Sequence, residues 1–217
     1  MPKSPTKTAH AFTLVECLAI AALVAILAAL LLPVLSKGQV TTDRAKMLSA
    51  MKSVGVAMNL YAADHGGQCV GPLWPGQVAL YDRNRGGRLV RELAPYLEIE
   101  DRSSPYVVNA FLTGTLRRSL PRVAPGDIRV WVMNMAIPKA GETINPWGNE
   151  AATPKTQPLP AAALADIPPN TWAMSEAYQG HPAVVSAPWR LNTATLPSTG
   201  RRPLALFFDG RVAPHEL

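Results

Sequence analysis

Charge is scarce in this chain. Lys, Arg, Asp and Glu make up 17% of its 217 residues, against roughly 25% in an average soluble protein. No basic run is longer than the pairs Arg117-Arg118 and Arg201-Arg202. A net charge of +6 spread this thinly gives no support to a nucleic-acid partner, whose groove needs Lys and Arg gathered on one face. Cysteine is almost absent. Cys17 and Cys69 flank a stretch that reads as continuous helix, which holds them tens of Å apart at about 1.5 Å per residue. A disulfide needs Cα atoms within about 7 Å, so both are expected to be free thiols. The histidines His10, His65, His181 and His215 contain no pair at metal-ligand spacing. There is no Gly-x-Ser-x-Gly elbow, phosphate loop or dinucleotide fingerprint. Asp64-His65 stand side by side near an expected helix end, where solvation explains them without acid–base chemistry. The chain reads as a non-enzyme with no metal ligands.

Proline is plentiful but late, with 18 of the 21 beyond residue 70. Because proline removes a backbone donor and fixes φ, the later two-thirds cannot be an all-helical body. Arg88 to Leu97 reads as a short helix ended near Pro95. Val107 to Leu112, Ile128 to Ile137, Trp172 to Ser175 and Leu204 to Phe208 read as strands, rich in β-branched and aromatic residues. Ala151 to Pro169, mostly Ala, Pro and Thr, reads as an extended surface loop. Asp209-Gly210 suits a two-residue hairpin turn, with Arg211-Val212 starting the return strand.

The 48% apolar share is concentrated at the front. Phe12 to Ser36, FTLVECLAIAALVAILAALLLPVLS, holds a single charge, Glu16, and exceeds the roughly 20 apolar residues that span a bilayer as helix. The preceding residues carry Lys3 and Lys7 and no acid, which keeps the leader cytoplasmic and sends the C-terminus across the membrane. A secretory signal has a shorter apolar core of about 7–15 residues and no carboxylate within it, where insertion costs about 2.5–3.5 kcal/mol. From Val34 to Gly71 there is no proline, and Met47, Met51, Val54, Met58 and Tyr61 recur on one helix face. Asp43, Arg44, Lys46, Lys52 and Asn59 mark the polar faces, and His65-Gly66-Gly67 ends the helix. The methionine-rich stripe is expected to pack against a sheet.

Ala11-Phe12-Thr13-Leu14-Val15-Glu16, opening an apolar helix, resembles the N-terminal cleavage and methylation signature of type IV pilins and type II secretion pseudopilins. In that family a prepilin peptidase cuts before the Phe, the new amine is methylated, and the helix serves as the assembly handle. The resemblance makes Phe12 the mature first residue and Glu16 the family's acidic residue, whose partner would be the Phe12 α-amine of a neighbouring subunit. Pro33 falls where many members have a helix-kinking proline. Ala11 stands where the family nearly always has glycine.

Two further segments extend the likeness. Phe207-Phe208-Asp209-Gly210-Arg211-Val212 is similar to the C-terminal Phe-Asp-Gly hairpin of predicted prepilin-type proteins. Asn145-Pro146-Trp147-Gly148-Asn149 is similar to the Asp-Pro-Trp-Gly loop of the major pseudopilin, with Asn145 in place of Asp. There the loop adjoins a calcium site. Here Glu142 and Glu150 are the only nearby acids, short of the six to eight oxygens a calcium ion takes, so no cofactor is expected, calcium being the single alternative.

These readings imply an α+β, pilin-like fold in which a long N-terminal helix packs on a small antiparallel β-sheet. Its parts are a leader at 1–11, a transmembrane and assembly helix at 12–36, an amphipathic continuation at 37–65 and a β-rich extracytoplasmic domain at 66–217. The implied role is a structural subunit of a type IV pilus or secretion pseudopilus, single-pass in the bacterial inner membrane with the C-terminus outside. Its partners would be the prepilin peptidase, other pilin or pseudopilin subunits, the inner-membrane assembly platform and membrane lipid. A minor pilin that binds a surface ligand and a signal-anchored extracytoplasmic hydrolase are the other two classes the sequence leaves open. Amino-terminal sequencing of protein recovered from membranes is expected to start at Phe12, with the net charge reduced from +6 to +4 as Lys3 and Lys7 leave. A start inside 1–11 or beyond the apolar run rejects processing at this bond.

Overall fold

The structure is a computed structural model that describes residues 14–200 and 202–215, with side chains throughout except at 28 and 30–37. The chain divides into two compact units, Met1–Gln39 and Val40–Leu217. One helix, α1, is continuous from Leu14 to Asp64. It stops where Gly66 and Gly67 take φ of 61° and 83°, and the Gly67 N–H donates back to the Ala62 carbonyl at 2.7 Å. Glycine reaches this left-handed backbone without the Cβ penalty, so the last carbonyls are satisfied and the helix ends.

The second unit is α+β. Its main sheet has five antiparallel strands in the order β1 (Gly76–Val78), β4 (Arg129–Met133), β7 (Trp172–Glu176), β8 (Leu204–Phe207) and β9 (Val212–Pro214). Two small ribbons accompany it: β2 (Leu80–Tyr81) with β3 (Tyr106–Val107), and β5 (Ile137–Lys139) with β6 (Glu142–Ile144). Among the described residues it also holds two short α-helices, α2 (Leu89–Glu92) and α3 (Gly114–Ser119), and three 3-10 turns.

The stripe on α1 packs on this sheet as its spacing requires. Met47, Ala50, Met51, Val54 and Ala57 are buried, in one core with Trp131, Met133, Met174, Leu204 and Leu206. The Trp131 ring N–H donates to the Met47 sulfur at 3.1 Å, and Phe111 packs on the same indole at 5.1 Å between centroids. Gly55 brings the helix down onto β8: a Cβ there would lie 3.0 Å from a Leu206 methyl. Side chains in a strand alternate faces, and Val132, Ala205 and Phe207 are buried but stand outside that core. They belong to the opposite face, which the long connection between β7 and β8 covers. Val184 of this connection is fully buried, and Trp189 lies so close to Gly76 in β1 that a Cβ there would meet its ring at 2.8 Å.

Four expectations need correction. The segment 88–97 is not one helix: α2 is a single turn followed by a 3-10 turn at Ala94–Tyr96. Only Val107 of the segment 107–112 is in a strand, because the chain turns at once toward α3, an element the sequence reading missed. The run 128–137 is two strands, since Asn134 turns the chain: its Oδ1 accepts from the Ala136 N–H at 3.3 Å. Between β8 and β9 the turn closed by the Phe207–Arg211 pair holds three residues, Phe208, Asp209 and Gly210. The Gly210 N–H bonds the Phe207 carbonyl at 3.0 Å, the Phe207 N–H bonds the Arg211 carbonyl at 2.9 Å, and Gly210 takes φ 82°, the pattern of a turn closed by a left-handed residue. The strands at Trp172–Ser175 and Leu204–Phe208 do form, each within one residue of the expected end.

A buried acid pins the return of the β7–β8 connection. Glu176, fully buried, accepts from the Ser198 hydroxyl at 2.8 Å, from the Thr199 hydroxyl, and from the Leu204 N–H at 2.8 Å. Burial raises its pKa, and the hydrogen bonds from Thr199, Leu204 and Ser198 oppose the rise. Near the other end of the connection His181 is buried and pushed down to about 4 by burial and by the neighbouring His215. The two act in opposite directions. Above the ordinary glutamate value the folded state keeps a proton that the unfolded chain releases, so stability falls as pH rises toward the raised Glu176 value. His181 removes stability as pH falls below the ordinary imidazole value toward about 4. Urea midpoints measured from about pH 4 to 8 are expected to show Glu176→Gln gaining on the wild type as pH rises, because an amide has no proton to release. Parallel profiles would remove this role.

Candidate assembly site

The front part of α1 presents apolar side chains on every side. Leu14, Val15, Leu18, Ile20, Leu23, Val24, Ile26 and Leu27 are 52–79% exposed, and Glu16, in the first turn, is exposed among them. Such a helix has no polar face on which to rest in water. Ala11 and Phe12 lie outside the described residues. Pro33 lies within α1, whose helical assignment runs through it; its side chain lies outside the described residues. Among the described residues no helix is long and apolar enough to cross a membrane. The run expected to do so, 12–36, falls partly outside them.

The outer part of α1 is fastened to the globular unit by charge as well as by its stripe. Asp43, expected on a polar face, is buried. Its carboxylate accepts from the N–H groups of Gly114 at 3.1 Å and Thr115 at 2.8 Å, the first residues of α3, while the Thr113 hydroxyl caps the same end by accepting from Leu116 N–H at 3.2 Å. An acid at the orphan donors of a helix start is favourable. Lys46 donates to the Leu112 carbonyl at 2.8 Å and Arg44 to the Thr199 carbonyl at 3.4 Å. Sequence spacing placed these three residues correctly on the helix but gave no sign of α3, so their partners were not legible. Lys52 and Asn59 are exposed.

The two loop motifs, whose Trp147 and Phe208 are 61 positions apart in the chain, meet in space. Trp147 and Phe208 stack with centroids 5.5 Å apart and planes at 12°. Asn145 spends its amide on its own loop, donating to the Gly148 carbonyl at 2.8 Å and accepting from the Trp147 N–H at 3.1 Å. Pro146 accepts from Leu159 N–H at 2.9 Å, and the Trp147 ring N–H donates to the Asn134 carbonyl at 3.0 Å. Asp209 accepts from Arg211 N–H at 2.9 Å. A cavity of about 270 Å³ lies beside this stack, lined by Met58, Ala62, Cys69, Trp147, Leu164 and Phe208. Burial pushes the Cys69 thiol up to about 11, which suits packing rather than reactivity; Cys17 is exposed, and both cysteines are free. Glu142 is exposed on β6, and Glu150 pairs with Lys155 at 2.5 Å. Among the described residues no group of three His, Cys, Asp or Glu could hold a metal ion.

No family model, curated protein or solved structure matches the chain. The loop chemistry therefore has to be tested directly. Gly148 takes φ 64°, and a Cβ on it would lie 2.3 Å from the Thr156 carbonyl oxygen. Gly148→Ala combines a strained backbone with a clash against main chain, and is expected to cost about 2 kcal/mol or more in chemical denaturation. A loss below roughly 0.5 kcal/mol would show that the loop does not hold the stack.

Proposed function

We propose that this chain is a structural subunit of a type IV pilus or type II secretion pseudopilus, processed by a prepilin peptidase and polymerised through the front part of α1. The observation that carries this reading is the segment Leu14–Leu27, in which every described side chain is exposed and all but Glu16 are uncharged. Apolar surface this extensive marks a membrane or protein contact. A helix apolar all round suits lipid before assembly and a bundle of like helices afterwards. Further along the same helix, Met47, Ala50, Met51, Val54 and Ala57 are built into the core of the globular unit. In this reading the subunit waits in the inner membrane with its C-terminus outside, its leader is removed before Phe12, and the assembly platform lifts it into the filament base. It works by assembly and not by catalysis.

Glu16 supplies the register. A carboxylate inside an apolar bundle is costly, and a charge-assisted bond to the Phe12 α-amine of the adjoining subunit offsets that cost. The bond requires the leader to be gone, which makes processing a precondition for joining. Removing one member of such a buried pair typically costs about 3–5 kcal/mol. Glu16→Ala is expected to fold, insert and be processed at wild-type levels, yet to leave cells without filaments by negative-stain microscopy when it is the only copy. Wild-type filament numbers would sink the assignment.

A further inference from the structure

The cavity of about 270 Å³ beside the Trp147–Phe208 stack is assembled from several parts of the globular unit. Met58 and Ala62 come from α1, Ala173 from β7, Leu206 from β8, and Ala161 and Leu164 from a 3-10 turn at Ala161–Leu164. Ala62, Ala161 and Ala173 stop at Cβ, and that leaves the space. Main-chain bonds hold its walls in place. The Ala161 N–H donates to the Gly67 carbonyl at 2.7 Å, the Cys69 N–H to the Leu159 carbonyl at 2.9 Å, and the Leu159 N–H to the Pro146 carbonyl at 2.9 Å. The turn and the Trp147 loop are thereby fixed beside the end of α1, so the walls stand without a ligand.

The lining is deep, apolar and uncharged. Val70, Trp147, Ala173 and Leu206 are buried, whereas Asn59, Ala161 and Ala165 are exposed and mark the mouth. Among the described residues that line it no side chain is charged, and Asn59 is the one amide. The Trp147 ring N–H is taken by the Asn134 carbonyl at 3.0 Å, so neither ring of the stack brings a free polar group to the space. An apolar cavity of about 150 Å³ already admits benzene. Small-molecule sites are concave and largely aliphatic and aromatic, with a few polar groups that orient the guest. A ring packs on other rings more favourably than its area alone accounts for, and an ionic group would lose water here and find no partner.

We propose that this cavity binds a small neutral aromatic molecule of one ring, seated beside Trp147 and Phe208 with a single polar substituent left at the mouth by Asn59. The site does not depend on whether the chain forms filaments, because all its walls belong to the globular unit.

The test uses the full chain in detergent micelles, with 4-fluorophenol observed by fluorine NMR and empty micelles as the control for partition into detergent. Saturable binding that phenol displaces is expected. Cyclohexanol, of similar size but without a π face, should displace the probe more weakly, and benzoate, whose charge has no partner in the cavity, should not displace it. Phe208→Leu, which keeps apolar bulk and loses the ring, should weaken binding roughly two- to tenfold. Ala62→Phe fills the space from α1, and Ala165→Phe fills it from an exposed position that tolerates bulk; each should abolish binding while far-UV circular dichroism stays that of the wild type. No saturable binding above empty micelles, equal displacement by cyclohexanol or by benzoate, unchanged affinity in Phe208→Leu, or unchanged affinity in both cavity-filling variants would overturn the proposal.

Discussion

The buried stripe of α1 is the constraint to which the globular unit conforms. Met47, Ala50, Met51, Val54 and Ala57 must leave water, and a helix presents them in a line that only a broad apolar surface can cover. The central strands β4, β7 and β8 provide it, with Trp131 reaching the Met47 sulfur and Leu206 closing on Gly55. Small residues in the stripe let helix and sheet approach, so the large side chains of the strands fill the space between. The charges at its edge follow the same logic. Asp43, Arg44 and Lys46 each find main-chain partners on segments that border the sheet, and this fixes the helix's rotation about its own axis, which an apolar stripe alone leaves loose.

The second face of the sheet is solved differently. Among the described residues no α-helix covers it; the connection from β7 to β8, with a single 3-10 turn at Arg190–Asn192, lies over it, held by polar anchors as much as by packing. Glu176 gathers the hydroxyls of Ser198 and Thr199 and the N–H of Leu204. His181 sits against Trp172 and Tyr178 at 5.3 and 5.7 Å between centroids. With so little regular structure, such a segment must satisfy most of its backbone and buried polar groups one at a time. That explains why the buried Glu176 and His181, whose pKa values burial displaces, lie on this side.

The period of the stripe made α1, its burial and its glycine end legible from sequence, because a helix face is a local pattern. The strands Trp172–Ser175 and Leu204–Phe208 were legible for the same reason, being short runs of β-branched, aromatic and aliphatic residues bounded by turns. What was not legible depends on distant partners. Asp43 looks solvated until α3 is known to start beside it, and α3 has only Thr113 and one turn to announce it. Asn134 breaks a β-rich run through a side-chain bond that composition does not record. The meeting of Trp147 with Phe208 is set by the fold at long range, which neither motif encodes. Of the candidate assembly residues, the apolar character of 14–27 was fully legible, and Glu16 stood out as its single charge.

The separation in sequence between α1 and its covering strands has a consequence for biosynthesis. The helix emerges first, yet Trp131 follows Met47 by 84 residues, and Leu206, which seats Gly55, comes near the end of the chain. Long-range contacts form slowly because loop closure precedes their reward. During translation the stripe therefore stays open until almost the whole polypeptide has been made, and a product cut short before β8 retains a sticky helix. Such a fragment carries its own mark of incompleteness, one that a chaperone or protease can read as exposed methionine and valine. Completion of the last hairpin is what conceals it.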